Sequence, residues 1–156
     1  MVDEKAHAAA VELYGEYARF FISTMEEVGK EKTMQIHERA FEMYGQGIVG
    51  MLKPMFPEKV DLKQLGNIFA GSQNNGGFES EVVMKDEDTL IIRNTVCPKY
   101  DAFKMHGIDD ETIEEYCLRG VRVLDRFFKE VESGLEFTVP KWDAGNGCCD
   151  EQIKRT

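Results

Sequence analysis

The sequence has no apolar run near the roughly 18 residues that a membrane-spanning helix needs. Basic residues are scarce, because 19 lysines and arginines face 29 aspartates and glutamates, which gives a net charge of −10. Such a chain repels phosphate backbones and anionic lipid headgroups, so we expect neither nucleic acid nor a membrane surface as a partner. A small-molecule substrate or another protein, including a second copy in a homo-oligomer, stays open.

Signal-peptide features and paired cysteines are also absent. The first residues, MVDEKAHAAA, carry acids where a secretion signal carries bases, which favours a cytoplasmic protein. The four cysteines, Cys97, Cys117, Cys148 and Cys149, show no CxxC spacing. Because the chain is long enough to fold without cross-links, we expect reduced thiols, with a strained vicinal disulfide between Cys148 and Cys149 as the alternative.

Helical periodicity dominates the first half of the chain. Apolar side chains recur on one face over 6–28, 30–52 and 61–70, with Gly29 and the prolines of KPMFPEK as breaks and Asp61 as a candidate N-cap. The following GSQNNGG is predicted to be a loop, and it has no lysine with which to bind phosphate. A last long helix is predicted over 110–132, beginning in the acidic DDETIEE, where carboxylates suit the helix dipole.

Two pairs of short apolar segments predict β-hairpins. Segments 78–84 and 89–97 flank KDED, and LEFTVPKW and CCDEQI flank DAGNG. Pro98 ends the first hairpin, before a loop that contains His106. Because helices and antiparallel strands are segregated, the sequence predicts one α+β domain over 1–156, with helices on one face of a roughly four-stranded antiparallel sheet.

Three of the cysteines are expected to meet in one pocket. Cys97 ends a strand, Cys117 lies on the inward face of the last helix, and Cys149 begins the final strand, while alternation turns Cys148 away from Cys149. The residues expected near the rim of this pocket are Asn94, Tyr100 and His106.

Other interpretations of these residues compete with a functional one. A reduced cysteine is often simply a small buried side chain, and this applies to Cys117. A divalent metal bound by Cys97, Cys117, Cys149 and His106 is a second alternative, although these ligands lack the short paired spacing typical of zinc sites. His37 lies on the apolar face of the second helix, either as a hydrogen-bonded core residue or as a general base.

The C-terminal half of the chain carries a recognisable pattern. A strand ends in Cys97-Pro98, the next long helix bears Cys117, and the turn from Gly145 to Cys149-Asp150 has the form Gly-x-x-x-Cys-Asp. With these motifs, VCPKYDAFKMHGIDDETIEEYCLRGVRVLDRFFKEVESGLEFTVPKWDAGNGCCDEQI resembles the L-2-amino-thiazoline-4-carboxylic acid hydrolase family. The helical EMYGQGIVG resembles the N-terminal half of that family more loosely, so the resemblance covers most of the chain.

The resemblance implies a hydrolase that opens a small cyclic isothiourea, or a related C–S or C–N bond. Such a site needs a nucleophile or base, donors for the developing charge, and a cation for the substrate carboxylate. The catalytic candidates are Cys97, Cys117, Cys149, Asp150 and His106. The substrate-binding candidates are Arg93, Asn94, Tyr100 and Arg122, an arginine being suited to a carboxylate by its forked donors.

One position departs from the family pattern. The family often carries an aspartate four residues after the helix cysteine, on the same helical face, where this chain has Val121. The departure favours an alternative function, a non-catalytic module that binds a small ligand or a metal in a cysteine-lined pocket.

Overall fold

A computed structural model describes residues 3–146 and 148–156, with the backbone alone for Cys148. The long elements in these ranges are the helices α1 (Glu4–Val28), α2 (Lys30–Met55), α3 (Leu62–Asn75), α4 (Pro98–Met105) and α5 (Asp110–Val131), and the strands β1 (Glu79–Met84), β2 (Thr89–Val96), β3 (Leu135–Asp143) and β4 (Cys148–Arg155). None of the helices in the described ranges has the length and apolar character needed to cross a bilayer.

The four strands form one antiparallel sheet with the order β1-β2-β4-β3. Each predicted hairpin is present, and the pairing of β2 with β4 joins the two hairpins. In that central pairing Asn94 lies opposite Cys149, and Arg93 lies opposite Asp150. This register decides which side chains of the two central strands share a face.

The helices cover one face of the sheet. Helix α3 packs on β1 and β2, and α5 packs on β3, while α2 lies on α5 and α1 contacts α4 and α2. One apolar core between sheet and helices contains Leu65, Leu90, Phe128 and Ile153. A second core, rich in aromatic rings, lies among the helices and contains Phe21, Phe103 and Tyr116. The architecture confirms the predicted α+β fold.

Two of the predicted boundaries are corrected by the structure. The segment after Pro98, predicted to be a loop, forms helix α4, because proline suits the first turn of a helix and the Cys97 Sγ accepts the Tyr100 N–H at 3.4 Å. Helix α3 continues through most of GSQNNGG to Asn75. The Asn74 side chain then bonds both the N–H and the C=O of Ser80, at 2.7 and 3.0 Å, which fixes the end of α3 against β1.

The thiols described by the structure are all free. Cys97, Cys117 and Cys149 form no disulfide, as expected for reduced cysteines. The expectations for Cys148, its direction and a vicinal disulfide, concern a side chain outside the described part of the chain.

Candidate functional site

Cys97, Cys117 and Cys149 line a single cavity of about 110 Å³. Cys97 follows β2 and caps α4, Cys117 lies about two turns into α5, and Cys149 lies near the start of β4. The cavity therefore forms where the central strands meet the two helices that follow the first hairpin. Its volume is below the roughly 300–1,000 Å³ of pockets for drug-sized ligands, so it suits a molecule of few heavy atoms.

Other polar groups share this cavity with the thiols. They are Asn94, Lys99, Tyr100 and Glu151. The apolar part of the wall is made of Phe41, Phe78, Ile113, Val121, Leu124, Phe137, Val139, Trp142 and Ala144. A mostly apolar wall with a few charged groups is typical of small-molecule sites.

Lys99 supplies the cationic group of the cavity. Its Nζ lies over the ring of Tyr116, 5.1 Å from the centroid, in a cation–π contact. No carboxylate oxygen in residues 3–146 or 148–156 lies within 4.0 Å of this ammonium. Burial by itself lowers the pKa of Lys99, but the surrounding Cys117, Tyr116 and Cys97 groups raise it well above its usual value overall, so Lys99 is charged at neutral pH.

Glu151 supplies an acidic group to the same cavity. It accepts a hydrogen bond from the Gln73 amide nitrogen at 2.9 Å. Burial raises the pKa of the Glu151 carboxyl above its ordinary value, and the Gln73 hydrogen bond and the charge of Lys99 offset part of that rise. A carboxylate with a raised pKa is a stronger base than an ordinary glutamate, which suits a proton acceptor.

Two of the cavity thiols are poor nucleophiles in this state. Burial raises the pKa of the Cys97 thiol to about 11. Burial, reinforced by the nearby Glu151 carboxylate, raises the pKa of Cys149 beyond the usual range of a thiol. Because the thiolate is the reactive form of cysteine, Cys97 and Cys149 are protonated and weakly reactive at neutral pH.

Asp150 and Arg93, both predicted for the pocket, lie on the other face of the sheet. The Arg93 guanidinium donates to the Asp150 carboxylate through Nε at 2.9 Å and Nη2 at 3.1 Å. Side chains alternate along a strand, so the residue that follows Asp150, Glu151, lies on the cavity side with Cys149. The correction exchanges Asp150 for Glu151 as the acidic group of the site.

His106 and Arg122 are not among the residues that line the cavity. His106 follows α4, and its Nε2 lies 3.4 Å from the Arg19 guanidinium of α1. Arg122 lines a surface depression with Leu118 and Asp125, and this depression adjoins the cavity because the two share Val121, Phe137 and Val139. Of the predicted substrate-binding residues, Asn94 and Tyr100 line the cavity, and Tyr100 donates from its hydroxyl to Asp110 at 2.8 Å.

Val121, the position at which the sequence departs from the pattern of the family it resembles, lines the cavity directly. The position that departs from the pattern is therefore part of the candidate site. No group of three or more His, Cys, Asp or Glu side chains within 3–146 and 148–156 is arranged to hold a metal ion. The metal site predicted from the three cysteines and His106 stays a prediction.

Sequence reasoning missed Lys99 and Glu151, although one of them had a signal. The alternation that turns Cys149 inward also turns Glu151 inward, since the two are separated by one residue on β4. Lys99 was hidden because the segment after Pro98 was predicted to be a loop. Once helix α4 is recognised, Lys99 follows Pro98 in its first turn, next to Cys97.

No family model matches this chain, and no curated protein sequence matches it. Among solved structures, the chain is similar to an H-NOX protein mutant from K. algicida in its Fe(II) unliganded form, at 12% sequence identity and a TM-score of 0.40. The similarity covers 76% of this chain and 63% of that one. At this level of similarity, two chains need not share a fold.

Proposed function

We propose that the protein is a hydrolase that opens a small cyclic isothiourea bearing a carboxylate, such as L-2-amino-thiazoline-4-carboxylate. The observation that carries the proposal is the presence of Lys99 and Glu151 in one cavity of about 110 Å³, with no carboxylate within ion-pair distance of Lys99 among the described residues. An ammonium and a carboxyl group in so small a space match a ligand with a carboxylate at one end and an amidine at the other.

The roles of the two charged groups follow from their chemistry. Lys99 is proposed to bind the substrate carboxylate, because no carboxylate oxygen of residues 3–146 or 148–156 lies within 4.0 Å of its ammonium. Glu151 is proposed to take a proton from water as the water attacks the amidine-like carbon. The C–S bond of the ring then breaks, and Glu151 returns the proton to the leaving sulfur. Water is added across the bond, and the product is a carbamoyl-cysteine.

In this proposal, Glu151 takes the role of the aspartate that the family often carries where this chain has Val121. Both positions line the same cavity, one from β4 and one from α5. The thiols have a different role in this proposal from the one predicted from sequence. Cys97 and Cys149 are protonated at neutral pH, so they form a polarizable wall for the ring sulfur rather than attacking it.

The test measures thiol release from L-2-amino-thiazoline-4-carboxylate by wild-type protein, Glu151→Gln and Asp150→Asn. We expect Glu151→Gln to lose at least about 100-fold in kcat, the usual contribution of a general base. Asp150→Asn is the matched control, because it changes the neighbouring carboxylate on the opposite face of the sheet, and we expect its kcat to stay within a few-fold of wild type. Equal losses in both variants would contradict the role of Glu151.

A non-catalytic binding function is the second candidate. The apolar Val121 and the protonated state of Cys97 and Cys149 favour it, since both remove groups that could drive catalysis. It predicts saturable binding of the same compound, weakened by Lys99→Met, without release of thiol. Metal analysis of the purified protein tests whether the ligand of this binding function is a metal. Bound zinc or iron that is lost on Cys117→Ser would support a metal-binding cavity.

A further inference from the structure

A buried polar pair lies in the aromatic core behind the cavity, outside the proposed reaction. His37, on α2, is 4% exposed, and the Tyr17 hydroxyl of α1 is hydrogen-bonded to its Nδ1. The other ring nitrogen of His37, Nε2, is buried without a hydrogen-bond partner among the described residues. A buried polar atom without a partner is costly, so the position of this imidazole calls for an explanation.

Burial keeps both members of the pair uncharged at neutral pH. It lowers the pKa of His37 to about 4. Burial, followed by the neighbouring Tyr116 hydroxyl, raises the pKa of Tyr17 above its usual range. A neutral imidazole and a neutral phenol each have one donor and an acceptor, which is enough for a directed chain of hydrogen bonds. Neither group carries a charge that could act on a ligand in the cavity. A general base at His37, one of the two interpretations from sequence, does not fit this environment.

The pair is in contact with the ring on which Lys99 lies. The ring centroid of Tyr116 is 5.4 Å from that of His37 and 6.3 Å from that of Tyr17, both in edge-on geometry. The Lys99 Nζ lies over the face of the same ring, 5.1 Å from its centroid. Tyr116 therefore contacts both the polar pair and the cavity cation, and its orientation determines which surface Lys99 meets.

We propose that His37 and Tyr17 are positioning residues for Lys99: bonded to each other and packed on Tyr116, they fix the ring face on which the ammonium lies. An ammonium that has no carboxylate of the described residues within ion-pair distance needs such a surface, because it is otherwise free to leave the cavity or to move among rotamers. The partners of His37 come from α1 and α5, so the pair also links three helices behind the site. This role holds whether or not the cavity hydrolyses its ligand.

The experiment measures the proton shifts of the Lys99 side chain at pH 7 by NMR of protein carrying ¹³C-labelled lysine. Protons held over an aromatic face are displaced upfield by the ring current, so the Lys99 ε-methylene protons should be displaced in the wild type. Lys99→Met identifies the signal, and Tyr116→Leu should abolish the displacement. Tyr17→Phe and His37→Phe keep the rings and remove the hydrogen-bonding groups, and each should lose at least half of the displacement.

Two further variants distinguish positioning from general stability. His37→Asn keeps a polar atom near the position of Nδ1 and should retain most of the displacement. Phe69→Leu removes a ring from the other core cluster, where Phe69 packs on Phe128, so it should lower the melting temperature and leave Lys99 unchanged. If Tyr17→Phe or His37→Phe retains the full wild-type displacement, the role of that residue is overturned. A wild-type protein that shows the displacement of Lys99 but does not hydrolyse the substrate would count against the proposed hydrolase alone.

Discussion

At the scale of single residues, the convergence of three thiols was predictable, and the charges among them were not. Periodicity places Cys117 inward, and strand ends place Cys97 and Cys149 at one edge of the sheet. Lys99 and Glu151 were missed because charged residues on a helix start and a strand are usually solvated, and only burial against the opposite layer makes them part of a site. The direction of Asp150 away from the cavity follows from strand alternation once Cys149 faces the cavity, so the prediction of both residues for one pocket was wrong on this ground.

Burial of the Cys97 thiol predicts slow alkylation. The rise of its pKa from 9.0 to about 11 reduces the thiolate fraction at neutral pH by about 100-fold. We expect iodoacetamide to modify Cys97 in the folded protein about 100-fold more slowly than in the protein unfolded in urea, as followed by mass spectrometry of peptides. The rate should rise with pH up to about 11. A Cys97 that reacts as fast when folded as when unfolded would contradict the buried, protonated thiol.

At the scale of elements, most of the helices and both hairpins follow from local patterns, whereas α4 does not. Its buried residues, Pro98, Ala102 and Phe103, are too few to show a helical period, and its start depends on Cys97 as a cap. The contact between α2 and α5 is also invisible in a pattern of apolar residues. It depends on small residues, since a Cβ on Gly45 would lie 2.1 Å from the Phe127 ring.

Two glycines of α2 are predicted to respond in opposite ways to alanine. Gly45→Ala forces the Phe127 ring to move, and overpacking of this kind costs about 1–3 kcal/mol, which exceeds the gain of up to about 1 kcal/mol in helix propensity. Gly47→Ala meets no atom within 4 Å and should stabilise the protein by about 0.5–1 kcal/mol. Urea unfolding of the two variants measures both changes. Stabilisation by Gly45→Ala would show that α2 and α5 are not in close contact there.

At the scale of the whole molecule, one arginine connects the end of the sheet to the helical layer. Arg155, at the end of β4, donates from Nε to Glu132 after α5 at 2.6 Å and from Nη2 to the Val60 carbonyl at 2.6 Å. It also reaches Asp88, in the turn of the first hairpin, at 3.1 Å. Glu132 in turn accepts the Val60 N–H at 2.8 Å. Segments distant in sequence are thereby held at one corner of the domain.

This corner predicts a pH-dependent contribution to stability. The hydrogen bond from Arg155 holds the pKa of Glu132 below its ordinary value. The contribution is therefore fully present above the unfolded-state pKa of glutamate, about 4.3, and is lost as the pH falls through the lower folded-state pKa. We expect Glu132→Gln to reduce the free energy of unfolding by about 1–3 kcal/mol at pH 7, and the difference from wild type to shrink towards zero in acid.

The exposed neighbour Glu130 provides the control for this prediction. Glu130→Gln removes the same charge from the same end of α5 without touching Arg155, so its effect should stay within about 0.5 kcal/mol at every pH. Urea unfolding at a series of pH values compares the two variants. A Glu132→Gln penalty that persists unchanged at low pH would mean that the carboxylate charge is not what stabilises this corner.

The ion pair of Arg93 and Asp150, on the face opposite the cavity, favours the native alignment of β4 with β2 over one that is shifted by one residue. Such a slip would carry Glu151 to the face opposite the cavity and turn Asp150 towards the thiols, because the side chains of a strand exchange faces with every step. The bidentate contact between Arg93 and Asp150 is satisfied only in the native alignment. This ion pair outside the cavity thus adds to the buried pairing of Leu90 with Ile153, which already fixes which of two adjacent acids faces the thiols, so removing the pair alone should leave Glu151 in the cavity.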